Sequence, residues 1–178
     1  MAVLNIGIVI SLIALAIAVP PANRLSEGTD NLRVFTAFPN AVAAFTSSND
    51  TVFKCSTATR THFNPQAGTV TYVWHFKAHS GHRQRDVVFN IKFGDAPGRG
   101  TWNVDNDTAH NYTAYYEYSD YETCVVMKFT FEGHEHCALL VKKAVKHNVP
   151  KHCLDKHEEK CDYRIPLIDR DLCRDDED

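Results

Sequence analysis

Histidine and cysteine are the residues most able to do chemistry in this 178-residue chain, which carries ten of the first and six of the second. His134-Glu135-His136 sets two imidazoles on one side of an extended segment. His147, His152 and His157 recur at a spacing of five, which does not align them on one helical face. A helical zinc pair needs three or four. The histidines are therefore expected on the surface, and no metal and no cofactor is expected. Enzyme signatures fare no better. There is no Gly-x-Ser-x-Gly, no Gly-x-x-x-x-Gly-Lys and no His-Glu-x-x-His. Gly98-Arg99-Gly100 is too short for a phosphate loop and reads as a turn. The expectation is a protein that is not an enzyme.

What the cysteines do depends on the compartment. No charged side chain precedes Arg24, and residues 3–19 are apolar except for Asn5, Gly7 and Ser11. Ala16-Ile17-Ala18 fits a signal-peptidase cut, although no Lys or Arg precedes the apolar run. An N-terminal anchor or a buried helix is the other reading of this stretch. The expected organisation is a signal peptide over 1–18 and one secreted domain over 19–178, with no membrane contact after cleavage. Oxidation outside the cell then turns Cys55, Cys124, Cys137, Cys153, Cys161 and Cys173 into three disulfides, for which about 15 pairings are open. Sequons at Asn49, Asn106 and Asn111 mark expected glycosylation sites on the outer surface. The formal charge of −3 argues against nucleic acid as partner.

The elements that must position these groups are short strands. Thr69–Phe76 (TVTYVWHF) and Asp86–Phe93 (DVVFNIKF) alternate with period 2. Six further candidates are Asn40–Thr46, Phe53–Thr61, Gly100–Val104, Asn111–Tyr118, Cys124–Phe131 and His136–Lys142. Asn64-Pro65 with Gly68, the Gly94–Gly100 segment, Ser119-Asp120 and Glu132-Gly133 supply turns between them. The fold class is all-β, an antiparallel sandwich or up-and-down barrel. Asp30–Ala37 reads as a short helix before the first strand, and Pro150–Cys161 as a polar surface helix near the end.

Tyr118-Ser119-Asp120-Tyr121-Glu122-Thr123-Cys124-Val125-Val126 resembles the Asp-Tyr-x-x-Cys strand of tick salivary lipocalins, the histamine-binding protein family. Cys137-Ala138-Leu139-Leu140-Val141 is similar to that family's next strand, and Asn148–Cys153 with Cys161 to the helix that follows. Lys54-Cys55 at the start of the second strand and Cys173 also fit. The resemblance implies an eight-stranded lipocalin barrel with the C-terminal helix packed outside. It also implies the pairing Cys55–Cys173, Cys124–Cys153 and Cys137–Cys161. The implied function is to bind a small host mediator, a biogenic amine such as histamine, and so blunt host defence at the bite site. A monomer in saliva is expected.

If Cys124 and Cys137 reach an outer helix, their odd-step neighbours point inward. That puts Val125, Met127, Phe129, Phe131, Ala138 and Leu140 inside, and a glycosylated Asn111 would turn Tyr112, Ala114, Tyr116 and Tyr118 inward as well. The ligand-lining set expected is Tyr72, Trp74, Phe89, Tyr112, Tyr116, Val125, Met127 and Leu140. In amine-binding members of the family, acids are expected at two inward positions directly after the strand cysteines. Here those positions hold Val125 and Ala138. Asp120, Glu117, Asp86 and Asp95 are the remaining acids, and Asp120, in a turn at the barrel end, joins the candidate ligand residues. An apolar lining fits an amphipathic lipid such as a leukotriene or fatty acid better than an amine. Lys54, Arg60, Arg83, Arg85 or a tyrosine would then meet its carboxylate. Action on a host protein through the outer surface is the third reading.

Overall fold

The computed structural model describes residues 28–50, 52–79, 81–169 and 171–173. The expected signal peptide lies outside these residues.

The first helix, α1 (Asn31–Ala37), starts where the Asp30 carboxylate accepts from the Arg33 amide at 3.1 Å. Eight strands follow: β1 (Asn40–Thr46), β2 (Thr57–Asn64), β3 (Thr69–Phe76), β4 (Arg85–Phe93), β5 (Arg99–Val104), β6 (Tyr112–Ser119), β7 (Cys124–Phe131) and β8 (His134–Val141). Each pairs antiparallel with the next from β2 to β8, and β1 bonds to both β8 and β2, which closes the barrel. A two-residue β9 (Ile165–Pro166) takes the edge of β1 beyond the point where β2 leaves it. Closure removes the sheet edges that would otherwise template aggregation. Bulges on β1 between Ala43 and Phe45, on β2 between Arg60 and His62, and on β6 between Tyr116 and Tyr118 bend the strands toward closure.

Strand identity follows from alternation. In β3 every second residue (Val70, Tyr72, Trp74, Phe76) is buried and the others are half-exposed. Turn geometry sets the connections. Gly98 lies at φ +68°, and a Cβ there would meet the Tyr116 carbonyl oxygen at 2.8 Å, beside the bond that the Tyr116 amide donates to the Gly98 carbonyl at 2.6 Å.

Two packed regions result. The barrel interior gathers Val34, Phe35 and Phe38 from the N-terminal segment with the inward side chains of all eight strands. Outside, Val42, Ala44, Val126, Leu139 and Val141 form a second cluster under α2 (Lys151–Cys161). α2 is tied down by Cys124–Cys153 and Cys137–Cys161, while Cys55–Cys173 holds the C-terminal segment to the start of β2. This is the pairing that the resemblance implies. Removing such bridges costs roughly 2–5 kcal/mol each.

Four expectations need correction. Residues 52–56 are a turn rather than the start of β2, because Cys55 sits at φ 55° to reach Cys173. β8 begins two residues earlier than His136. The bulge after Tyr116 moves Tyr118 to the outer cluster, where Lys156 Nζ lies 5.8 Å from its ring centre. The histidines are not all on the surface: His79, His136 and His157 are buried. Alternation along the sequence carries no trace of these, since each is buried by what packs across it.

Candidate functional site

The barrel holds one apolar cavity of about 60 Å³ beneath α1. Its walls are Ala41, Ala58, Tyr72, Trp74, Phe89, Ile91, Trp102, Ala114, Tyr116, Val125, Met127, Phe129 and Leu140, and its roof is Val34, Phe35 and Phe38. At about 10–15 Å³ per water, the space takes only a few water-sized groups. A mediator of ordinary size enters only if rings move.

The roof is held by polar contacts at its edge. The Tyr72 hydroxyl donates to the Phe38 carbonyl at 2.6 Å. The Arg60 guanidinium donates to the Phe35 carbonyl. Asn31 Nδ2 donates to the Arg99 carbonyl at 2.7 Å, and the Asp30 amide to the Tyr121 hydroxyl at 2.9 Å. Phe35 stacks on Phe93 at 5.0 Å and meets Tyr116 edge-on at 5.2 Å.

Few polar atoms face inward. Burial pushes the Tyr72 phenol far above its ordinary value, with Arg60 opposing, and burial beside Tyr72 does the same to Tyr116. Both phenols are neutral donors at physiological pH. Among the described residues the buried Trp102 Nε1–H has no hydrogen-bond partner. No carboxylate among the described residues lines the cavity.

Of the expected ligand residues, Tyr72, Trp74, Phe89, Tyr116, Val125, Met127 and Leu140 line this space. Tyr112 does not. It is half-buried behind Trp102, ring centres 5.1 Å apart. Asp120 is the other exception. Its Oδ1 accepts from the amides of Glu122, Thr123 and Cys124 at 3.0, 2.8 and 2.9 Å, which closes the β6–β7 turn. Its Oδ2 lies 2.9 Å from His152 Nε2 on α2. Partial burial raises this carboxyl, but the bonds from Cys124, Thr123, His152 and Glu122 outweigh it and hold the group far below the carboxylate range. Asp120 is thus a turn-and-helix clamp, in the turn where the sequence placed it, and it is not among the residues that line the cavity. Asp86 pairs with His75 at 2.8 Å on the outer surface, and Asp95 is exposed. Lys54 pairs with Asp169 at 3.3 Å and Arg85 with Glu132. Arg60 is the one basic candidate of that set bonded to the roof. Asp120, Cys124, His152 and Cys153 lie within 4.8 Å of one another, but the two sulfurs are bonded together, which removes them as metal ligands.

Two residues escaped the sequence reading. Trp102 is the only large apolar side chain inside β5, and alternation with Gly100 and Val104 would have placed it inward. Phe53 had no periodic signal, because it sits in a turn. It plugs the far end of the barrel against Trp74, Phe76, Phe129, Phe131 and His136, with ring centres 4.9–5.5 Å apart.

Residues 41–173 match the family model described as tick histamine binding protein. The chain belongs to the tick histamine-binding protein family. No curated protein sequence matches it significantly. Among solved structures, it is similar to AM182 in its serotonin complex, at TM-score 0.57 and 13% identity over 80% of this chain and 90% of that one. It is also similar to japanin from Rhipicephalus appendiculatus bound to cholesterol, at TM-score 0.53 and 13% identity over 72% of this chain and 90% of that one. At such identities the likeness is one of fold. The three disulfides and the lack, among the described residues, of a helix long and apolar enough to cross a membrane fit a secreted lipocalin of this family. The family and these neighbours are ligand-binding proteins.

Proposed function

We propose that this lipocalin is a non-enzymatic scavenger. It takes a small host mediator into the barrel under α1 and lowers its free concentration at the bite site. Secretion into saliva as a monomer, with sugars on Asn49, Asn106 and Asn111, belongs to the same reading; all three asparagines are exposed. A scavenger that holds one ligand per molecule works only if its Kd lies below the mediator's local level.

The observation that carries the ligand class is the lining. An ammonium buried without a carboxylate partner costs several kcal/mol. The two positions where the family resemblance implies acids in amine binders hold Val125, which lines the cavity, and Ala138, buried in the interior. The polar groups inside are neutral: the unpaired Trp102 indole N–H and the buried Tyr116 phenol. This supports an amphipathic lipid, such as a leukotriene or a fatty acid, with its carboxylate toward Arg60 at the roof and its chain among Trp74, Phe89 and Met127. The second reading, histamine or another biogenic amine, rests on the family and on the serotonin held by a neighbour of like fold. For it, aromatic faces would have to hold the cation, worth about 2 kcal/mol when desolvated.

Calorimetric titration with histamine, serotonin, leukotrienes and arachidonate tests both. Tight lipid binding with no amine heat supports the first reading. Tight histamine binding overturns it and requires an acid to swing inward. Silence with every one removes the cavity as the functional site and leaves the outer surface acting on host proteins.

A further inference from the structure

A second surface lies on the segment that joins β8 to α2. No Asp or Glu occurs between Glu135 and Asp155, whereas Lys142, Lys143, Lys146 and Lys151 all do, with His147 and His152. In a chain of net charge −3, this is a segregation of charge and not a consequence of composition.

The fold displays this segment in a fixed form. The Lys142 amide donates to the Thr123 carbonyl at 3.0 Å, and residues Lys143–Val145 make a single 3-10 turn. Val145 and Val149 pack down onto the outer apolar cluster. Cys153, at the start of α2, is locked to Cys124 on β7. With the valines half-buried, Lys143, Ala144, Lys146 and His147 line a shallow depression. Lys143 and Lys146 also have contacts within the chain, so what matters is the density of cations and not any vacancy at one of them. Lys151 pairs with Asp155 at 2.6 Å, and Lys142 Nζ lies 5.4 Å from the Phe38 ring centre.

We propose that this turn is a docking surface for a sulfated glycosaminoglycan. Lysines are compact point charges that suit sulfate groups spaced along a polymer. Because the turn is already ordered by the valines and the disulfide, little entropy is lost on binding. The surface lacks what other polyanions use. It offers no exposed aromatic on which bases could stack, and no exposed large apolar side chain to enter a bilayer. Such docking would hold the protein in the sulfated matrix between cells and raise its local concentration. It is independent of what fills the barrel.

The test is binding of the full-length mature protein to a heparin dodecasaccharide at 0.15 M NaCl, with a salt series. The double variant Lys143→Gln/Lys146→Gln is compared with Lys92→Gln/Lys128→Gln, whose lysines lie on β4 and β7. At roughly fivefold per lysine, the first pair should weaken binding about 25-fold and the control pair little. Affinity should fall steadily with salt, and fully desulfated heparin should not bind. No binding by the wild-type chain overturns the proposal. So does equal loss in both variants, and so does binding to phosphatidylserine vesicles without binding to heparin. An unchanged unfolding midpoint in the double variant keeps a folding defect from passing for lost affinity.

Discussion

The Tyr72 hydroxyl donates to the Phe38 carbonyl at 2.6 Å, so a residue of the cavity wall also fastens the roof. A ligand that takes this hydroxyl for itself frees the Phe38 carbonyl. Filling the cavity and loosening the roof are therefore linked through one side chain.

Tyr72→Phe should separate these roles. It leaves a buried carbonyl without its donor, a loss of about 1–3 kcal/mol. Urea unfolding should show that loss, and hydrogen exchange should show faster opening of residues 31–38. A variant as protected as the wild type would mean that Arg60 and Asn31 hold α1 by themselves.

Trp102→Phe removes an N–H that is buried without a partner. The free protein should be as stable as the wild type or slightly more so. Ligand affinity should fall about 5- to 150-fold if the ligand's acceptor meets that N–H. Unchanged affinity in calorimetry would move the polar contact to Tyr116.

Trp74→Ala and Tyr116→Ala should weaken binding and leave the stapled fold in place. Each costs about 3–5 kcal/mol of core packing, so circular dichroism and peptide mapping without reduction must accompany the titrations. Normal binding by both variants would remove the barrel interior as the site.

The three disulfides should differ in weight. The bridge Cys55–Cys173 spans 118 residues, against 29 for Cys124–Cys153 and 24 for Cys137–Cys161. Chain entropy gives about 5 kcal/mol for the first and about 3.5 for each of the others. Paired Cys→Ala variants in thermal unfolding should follow that order.

Acid should weaken the fold in two windows. Desolvation lowers the pKa of His136 and His157, with Asp50 and the Cys137 carbonyl respectively opposing it. His79 is lowered by desolvation, then by His82 and Lys54. A histidine with a depressed folded pKa takes up its proton more readily once unfolded. Stability is therefore complete above about pH 6.5 and falls as pH drops from there toward the folded values. Asp120, also depressed, adds a loss only below about pH 4. Urea midpoints from pH 8 to 4 should show the first fall, and His136→Phe, which keeps the stack on Phe129 at 5.3 Å, should reduce it. A midpoint flat through pH 6 would show that the buried imidazoles are not the acid-sensitive groups.

Much of this was legible in the chain. Period-2 alternation placed Tyr72, Trp74 and Phe89 on one face of their strands, because side chains leave a strand on alternate sides whatever lies beyond. The turn residues marked where strands end, since turn chemistry and left-handed φ are local properties. The motif around Cys124, Cys137 and Cys153 carried the family and, through it, the disulfide pairing. Length, alternation and these motifs were enough for an eight-stranded barrel with an outer helix.

Other features belong to the tertiary structure alone. Parity carried from Asn111 put Tyr118 inside, and the bulge on β6 turned it out, because one extra residue reverses every later side chain. Phe53 closes the far end from a turn, where no period points. His136 is buried by the Phe53 and Phe129 rings, and His157, on α2, by Phe45 and β8 of the barrel, which come from distant parts of the sequence. The size of the cavity was decided the same way. The sequence makes the lining apolar and aromatic, but how far Phe35, Trp102 and Phe53 fill the space depends on close packing among residues that alternation cannot order.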